Sequence, residues 1–249
     1  SRFKGWAKPS MDQKVPLAPA VAAADEVPLS RSQKIRKGMD EAWAHRWTAE
    51  DKQLYAETRK RKCSLNDIEN WPVDAVSIFE DATHILLLGS LKAACAIEDV
   101  NQKLKVFVTV VVTMSADDAK RWGERENYEE YYGSLGVANF RYAGWDKRLE
   151  PGEEYTAKKE EYKSRWKEVC QDLDGVQAPS SGKTTILFHC FAGINRSTSA
   201  LCAFLILRKG FSAEAAVQCV LTARAGQWYW RDRDYFLDGL VEISEGEAR

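Results

Sequence analysis

The sequence predicts an α/β fold, in which a central, mostly parallel sheet is flanked by helices. From about residue 84 onward, stretches typical of strands alternate with stretches typical of helices, which is the order found in layered α/β proteins. The segment 84–89 is a short apolar run that ends in glycine, and both this segment and 184–188 are interpreted as buried strands. Apolar residues make up 45% of the 249 residues, which is enough for a sizeable core.

The elements follow one another with recognisable starts and ends. We expect strands at residues 84–89, 105–112, 140–143 and 184–188. We expect helices at residues 91–97, 115–122, 153–170, 196–209, 212–224 and 232–243. The second of these helices begins at Ser115, which together with Asp118 resembles a capping box. Gly210 and Gly226 mark the ends of the fourth and fifth helices, since glycine is favoured after a helix C-terminus.

The first 78 residues differ in character from the rest of the chain. Residues 1–28 are rich in Ala, Pro and Val without a sustained period, which indicates a flexible tail. Residues 29–78 are interpreted as a basic helical extension, and the main domain then occupies residues 79–249. Apolar side chains at helical spacing in the extension are Trp43, Trp47 and Leu54. The basic cluster at 59–62 is either a solvated helix end or a signal for localisation or for docking a partner.

Charge and cysteine usage exclude several classes of protein. The formal net charge of −1 gives no overall attraction to nucleic acids or acidic membranes. No run of about 18 apolar residues is present that could span a membrane. The six cysteines include no CxxC pair and are accompanied by three histidines, which fits neither a zinc site nor a disulfide scaffold. We therefore expect no metal, no cofactor and a reduced compartment: the cytoplasm, with the nucleus as the alternative.

One segment carries residues suited to phosphate chemistry. The predicted strand at 184–188 leads to Cys190, five residues follow, and a predicted helix begins at Arg196. Five residues let the backbone curl so that successive N–H groups point inward as an anion-binding nest, and Gly193 permits backbone angles closed to other residues. The helix directs its positive end at the same point, at the sheet edge where ligands bind. The residues expected to contact a bound group are Phe191, Ala192, Gly193, Ile194, Asn195 and Arg196.

The side chains around this loop suit phosphoryl transfer. Cys190 is the expected nucleophile, because inward N–H groups, the helix terminus and Arg196 lower a thiol pKa below its free value of about 8.5. The planar fork of Arg196 matches two phosphate oxygens as charge shifts in the transition state. Ser197, or else Thr198, is placed to donate a hydrogen bond to the sulfur when it becomes the leaving group. We expect His189 to order the loop through hydrogen bonds.

The alternative interpretation is that Cys190 is a structural thiol, because free cysteines are often buried. Cys202 and Cys219 lie within apolar helical stretches, and we expect that role for them. The cysteines without any sign of reactivity are Cys63, Cys95 and Cys170. Strand, cysteine, glycine, arginine and helix occur together only around Cys190, which favours the catalytic interpretation there.

The loop residues resemble the signature of cysteine-based protein tyrosine phosphatases, most closely that of the dual-specificity branch. The residues that carry the resemblance are His189, Cys190, Gly193, Arg196 and Ser197. Segments 87–94 and 223–228 are similar to stretches of the same branch, and the match covers residues 79–243. The resemblance implies a protein tyrosine phosphatase-like fold of the dual-specificity type and hydrolysis through a phosphocysteine intermediate, with water activated in the second step.

Cleavage of a phosphate ester also requires an acid that protonates the departing oxygen. In the family resembled, this is an Asp on a loop after the preceding strand, and Asp146 occupies that place, 44 residues before Cys190. Asp74 lies in a Trp-Pro-Val-Asp stretch similar to the acid loop of the tyrosine-specific branch, but it stands 116 residues before Cys190, ahead of the first predicted strand. Other carboxylates are Asp172 and Asp174, expected to be surface charges, and Glu150 and Glu153, the residual candidates.

The loop composition favours a phosphorylated protein as the substrate, with phosphotyrosine, phosphoserine or phosphothreonine. Relatives that act on inositol lipids tend to carry Lys or Arg inside the loop, and this loop has neither before Arg196. Asn195 is a departure that looks like the signature of RNA 5′-triphosphatases, so these and other non-protein phosphate esters stay an alternative. A third hypothesis is a phosphate-binding scaffold without turnover. Aromatic residues that either line the rim or pack the last helices are Trp145, Trp228, Tyr229 and Trp230.

Overall fold

The computed structural model of the protein describes residues 28–46, 74–116, 127–144, 155–180, 182–224 and 234–247. The strands in this part are β1 (Val76–Glu80), β2 (His84–Gly89), β3 (Val110–Thr113), β4 (Ala138–Arg141) and β5 (Thr184–His189). Its helices are α1 (Arg31–Arg46), α2 (Leu91–Ala94), α3 (Ile97–Leu104), α4 (Tyr128–Ser134), α5 (Tyr155–Asp174), α6 (Arg196–Lys209), α7 (Ala213–Ala223) and α8 (Asp234–Glu247). None of these helices is long and apolar enough to cross a membrane.

The five strands form one sheet in the order β1-β2-β5-β3-β4. Strand β1 is antiparallel to β2, and the other three pairings are parallel, which confirms the mostly parallel α/β sheet. Strand β5 lies in the centre, where its last residue, His189, is in register with Gly89 of β2 and with Thr113 of β3. The carboxyl ends of three neighbouring strands therefore meet at one level, directly before Cys190.

Both faces of the sheet are covered by apolar side chains. Along β5, Ile186 and Phe188 belong to one core cluster and Leu187 to the other, so the strand is buried on both sides. The larger cluster packs the sheet against α5, α6, α7 and α8, and the smaller one packs it against α2, α3 and α4. Every residue at 196–206 of α6 is buried. The helix that follows the candidate loop is thus fixed within the core from its first residue.

The strand predicted at 105–112 is wrong in its first part, since β3 covers only Val110–Thr113. The reason is that Lys105 adopts a φ of +55° and ends α3. The following residues remain attached to that helix, because the Val108 N–H donates to the Asn101 side-chain oxygen at 2.9 Å. A β-branched, apolar run therefore begins as a helix terminus and becomes a strand only where it reaches β5.

Smaller differences concern the ends of elements. The helix predicted at 91–97 is two helices, α2 and α3, with a break between them. Strand β1 was not predicted, and it lies across the expected domain boundary at residue 79, so part of the extension joins the sheet. Strand β4 begins and ends two residues before the prediction of 140–143, and α5 continues four residues beyond 170. The helix predicted at 115–122 lies mostly outside the described residues.

The helix expected in the N-terminal extension is present as α1 and packs on the layer formed by α7 and α8. Ile35 is buried in the larger core cluster. The Arg31 guanidinium forms ion pairs with Glu214 of α7 and, at 3.3 Å, with Glu245 of α8. Such partly exposed pairs each contribute about 0.2–1 kcal/mol. The remaining features predicted in the extension, which lie outside the described residues, are Trp47, Leu54 and the cluster at 59–62.

Candidate active site

The loop between β5 and α6 lies at the carboxyl edge of the sheet, as predicted. Strand β5 leads directly to Cys190, and α6 begins at Arg196 after five intervening residues. Backbone N–H groups of Ile194 and Ser197 donate hydrogen bonds to the Cys190 sulfur, so this segment curls around it. The first N–H groups of α6 have no partner within the helix, and the positive end of its dipole is directed at the same place. An anion at this position would meet several donors at once.

Gly193 allows the loop to take this shape for two reasons. Its φ is +64°, a value that costs a residue with a side chain about 1–2 kcal/mol. The predicted need for glycine at this position is thereby confirmed. A methyl group on Gly193 would also lie 2.4 Å from the carbonyl oxygen of Gly89 and 3.0 Å from the nitrogen of Ser90. The loop therefore touches the end of β2 backbone to backbone.

The environment of Cys190 favours the charged form of its thiol. Burial raises the pKa of Cys190, which is only 2% exposed. Three influences act against burial: the charge of Arg196, the hydrogen bond from the Ser197 hydroxyl, and the N–H groups of Ser197 and Ile194. Together they outweigh burial, so the pKa lies below its ordinary value. The negative charge of the thiolate is thus stabilised by the loop that surrounds it.

Arg196 and Ser197 occupy the first turn of α6, and both are buried. The Ser197 hydroxyl donates to the Cys190 sulfur with an Oγ–Sγ distance of 3.3 Å. Arg196 lies close enough for its charge to lower the pKa of the thiol. Thr198, the other residue considered for this contact, is buried in the same turn. The structure thus brings together three of the residues predicted for catalysis.

His189 is held neutral beneath the loop by its surroundings. Complete burial lowers its pKa to about 3, and the charges of Arg141 and Arg196 act in the same direction. Its Nε2 shares a hydrogen bond with the Thr113 hydroxyl at 2.8 Å, and that hydroxyl accepts one from the Asn139 amide at 3.2 Å. This chain crosses from β4 through β3 to β5. Sequence reasoning identified His189 but missed Thr113 and Asn139, because neither stands in a recognisable motif.

Asp74, which the sequence offered as a possible acid, is engaged with other parts of the chain. Its Oδ2 lies 2.6 Å from Nη2 of Arg224, and its Oδ1 accepts a hydrogen bond from the Ser90 N–H at 3.2 Å. Ser90 lies at the junction between β2 and α2, and Arg224 directly follows α7. Sequence reasoning gave Arg224 no role beyond the resemblance, since the two partners stand 150 residues apart.

The two carboxylates at the end of α5 are also engaged. Asp172 accepts a hydrogen bond from the Tyr142 hydroxyl at 2.6 Å, and Asp174 forms an ion pair with Arg208 at 2.7 Å. The expectation that they are surface charges holds for both residues, since both are exposed. Predicted residues that lie outside the described part are Asp146, Glu150, Glu153, Trp145, Trp228, Tyr229 and Trp230.

Cys170, Cys202 and Cys219 differ from Cys190 in their electrostatic environment. Burial raises the pKa of Cys170 to about 12 and that of Cys202 well above its ordinary value. Cys219 is half-buried on α7, its pKa is raised by burial, and its thiol contacts the carbonyl oxygen of Ile78 at 3.3 Å. Core packing, the role expected for Cys202 and Cys219, agrees with these positions. Cys63 lies outside the described residues.

No protein-family model and no curated protein matches the chain. The chain is similar to the solved structure of human DUSP28, with 23% sequence identity, a TM-score of 0.43, and coverage of 72% of this chain and 98% of that one. It is similar to PTPMT1 in complex with PI(5)P (20% identity, TM-score 0.42, coverage 70% and 96%). It is also similar to a mouse putative dual specificity phosphatase complexed with zinc tungstate (21%, 0.42, coverage 71% and 89%).

We expect Gly193→Ala to raise the pH at which iodoacetate alkylates Cys190. The methyl group would collide with the Gly89 backbone, so the loop must shift and its N–H bonds to the sulfur must weaken. Since the thiolate is the reacting form, the midpoint of alkylation rate against pH moves upward. Gly136→Ala is the matched control, because Gly136 has a φ of +66° but nothing within 4 Å of the added methyl group. An unchanged midpoint in Gly193→Ala would contradict this account of the loop.

Proposed function

We propose that this protein is a cysteine-dependent phosphatase that hydrolyses phosphate monoesters on proteins through a phosphocysteine intermediate. The observation that carries the proposal is the curled loop around the buried Cys190 sulfur, in which the Ser197 hydroxyl lies 3.3 Å from the sulfur and α6 begins at Arg196. These groups lower the pKa of the thiol against the burial that alone would raise it. A buried thiol with a packing role shows the opposite shift, as Cys202 does. Stabilising negative charge on the sulfur makes it both a nucleophile and a leaving group.

In the first proposed step, the Cys190 thiolate attacks the substrate phosphorus, an S–P bond forms, and the P–O bond to the leaving group breaks. Asp146 donates its proton to the departing oxygen. The guanidinium of Arg196 binds two of the remaining oxygens, and N–H groups of the loop and of α6 bind the rest. Asn195 directly precedes α6, and its side chain forms no capping hydrogen bond. The Asn195 side chain therefore does not occupy the first N–H groups of α6.

In the second proposed step, water attacks phosphorus while the Asp146 carboxylate accepts its proton, and the S–P bond breaks with its electron pair returning to sulfur. The Ser197 hydroxyl, 3.3 Å from the sulfur, and the Ile194 N–H stabilise the departing thiolate. Inorganic phosphate leaves, and both Cys190 and Asp146 return to their starting protonation states. One water is consumed for each ester that is cleaved.

The side chains of the loop support a substrate that carries one phosphate. Between Cys190 and Arg196 the loop contains no basic residue, so Arg196 is the cation that it offers. An inositol phosphate or an RNA 5′-triphosphate carries several phosphates and would require more positive charge near its binding site. A phosphorylated tyrosine, serine or threonine side chain of a protein matches a single guanidinium and a ring of N–H groups.

A substrate panel tests this assignment. We expect kcat/KM for a phosphotyrosine peptide and for a phosphothreonine peptide to exceed the values for an inositol phosphate and for an RNA 5′-triphosphate, measured as phosphate release. The physical reason is that the loop offers one guanidinium, which matches a single phosphate group better than several. Faster release from the triphosphate would overturn the phosphoprotein assignment while leaving the cysteine chemistry intact.

We expect Cys190→Ser to reduce hydrolysis of p-nitrophenyl phosphate to the rate of the blank, because a serine hydroxyl has no comparable anionic form in this loop. Cys219→Ser is the matched control, since it replaces a half-buried cysteine on α7 and keeps a donor for the Ile78 carbonyl. Release of p-nitrophenol is followed by absorbance. A wild-type protein that binds phosphate but releases no p-nitrophenol would be a scaffold and not an enzyme.

We expect Asp146→Ala to lower kcat about 10²- to 10⁴-fold for an alkyl phosphate, whose leaving oxygen needs a proton. The deficit should be smaller for p-nitrophenyl phosphate, because p-nitrophenolate leaves readily without one. Asp174→Ala, which removes an exposed carboxylate at the end of α5, is the control. Wild-type rates in the Asp146 variant on both substrates would remove Asp146 as the acid.

A further inference from the structure

The outer side of the candidate loop needs donors of its own. When successive N–H groups of a loop point inward, carbonyl groups of the same residues turn outward, and a buried carbonyl without a donor is unfavourable. The Phe191 carbonyl accepts a hydrogen bond from the Leu91 N–H at 3.1 Å. Nη2 of Arg224 donates a long hydrogen bond, at 3.5 Å, to the Ala192 carbonyl oxygen. The loop is therefore held from outside by the β2–α2 junction and by one arginine.

Arg224 connects three segments of the chain at this place. It follows the last residue of α7, and its side chain is only 13% exposed. Nη1 donates to the carbonyl oxygens of Asp74, at 3.0 Å, and of Leu88, at 3.2 Å. Nη2 lies 2.6 Å from the Asp74 carboxylate and also reaches the Ala192 carbonyl. The segment before β1, the end of β2 and the loop are thus joined through one guanidinium.

Asp74 completes this arrangement from the other side. Its second carboxylate oxygen accepts the Ser90 N–H at 3.2 Å. Gly193 contacts the backbone of Gly89 and Ser90. A methyl group on Gly193 would lie 2.4 Å from the Gly89 carbonyl oxygen. The Asp74–Arg224 pair therefore fixes the backbone that limits how far the loop can move outward.

We propose that Asp74 and Arg224 are positioning residues for the phosphate-binding loop. They act through the backbone of residues 88–90 and through the Ala192 carbonyl, without touching the substrate. Displacement of this support would move the N–H groups of Ile194 and Ser197, which lower the pKa of Cys190 against its burial. The expected effect of these residues on catalysis rests on the proposed function. Their expected effect on the pKa of the Cys190 thiol does not.

The test is the pH dependence of Cys190 alkylation by iodoacetate, with the modified peptide identified by mass spectrometry. In Arg224→Ala the midpoint should move to higher pH, and kcat for p-nitrophenyl phosphate should fall by about 10²-fold, the loss typical of a misplaced catalytic group. Arg224→Lys keeps a positive donor and should restore most of both. If Arg224→Ala does not fold, Arg224→Gln and Asp74→Asn, which preserve size, are measured instead and should shift the midpoint in the same direction.

Arg208→Ala is the matched control, because Arg208 forms an ion pair with Asp174 at 2.7 Å away from the loop contacts just described. It should leave the alkylation midpoint and kcat unchanged. A folded Arg224→Ala or Arg224→Gln protein with the wild-type midpoint would overturn the positioning role, even if its Tm were lowered. If the wild-type protein hydrolyses no phosphate ester, the proposed function fails, but the alkylation midpoints still decide whether the pair positions the loop.

Discussion

Stabilisation of the Cys190 thiolate by the loop around it is the interaction on which the candidate site depends. Burial raises the pKa of Cys190, as it does for Cys170 and Cys202, but at Cys190 the charge of Arg196 and three hydrogen bonds from Ser197 and Ile194 reverse the result. These groups reach the sulfur because only six residues separate the end of β5 from the start of α6. Strand β5 lies in the centre of the sheet and the first turns of α6 are buried, so both ends of this short loop are fixed in place.

Backbone contacts hold the loop at 190–195 in place as much as side-chain contacts do. The Gly193 backbone approaches that of Gly89 so closely that no side chain fits at Gly193. A methyl group at Gly89 would in turn lie 2.9 Å from the Ala93 Cβ of α2. The Leu91 N–H adds a hydrogen bond to the Phe191 carbonyl in the same region. The site therefore belongs to β2 and α2 as well as to β5 and α6, although the residues that contact the Cys190 sulfur come from one segment.

Local signals explain how much of this could be predicted from the sequence. The bounds of β5, α6 and α7 agree with the prediction to within one residue, because apolar runs and glycines mark them directly. The loop was predicted because all of its residues are consecutive. The left-handed conformation of Lys105 turned part of an apparent strand into a helix terminus, which its composition does not reveal. Strand β1 is short and lies at the edge of the sheet, where it pairs with β2 alone.

Contacts between distant residues were beyond prediction. The Asp74–Arg224 pair spans 150 positions, and the Thr113–His189 hydrogen bond spans 76. Spacing along one sequence gives no indication of either, since both depend on which strands become neighbours in the sheet. Asp74 could be set aside as an acid only by its order along the chain, while its actual partners follow from the packing of α7 against β1.

The neutral state of His189 has a consequence for how the site responds to acidity. A histidine next to a nucleophile would ordinarily gain a proton between pH 5 and 8 and add a positive charge there. With burial holding its pKa at about 3, His189 stays uncharged throughout that interval. A change of Cys190 alkylation with pH in the near-neutral range is therefore assignable to ionisable groups other than the His189 imidazole.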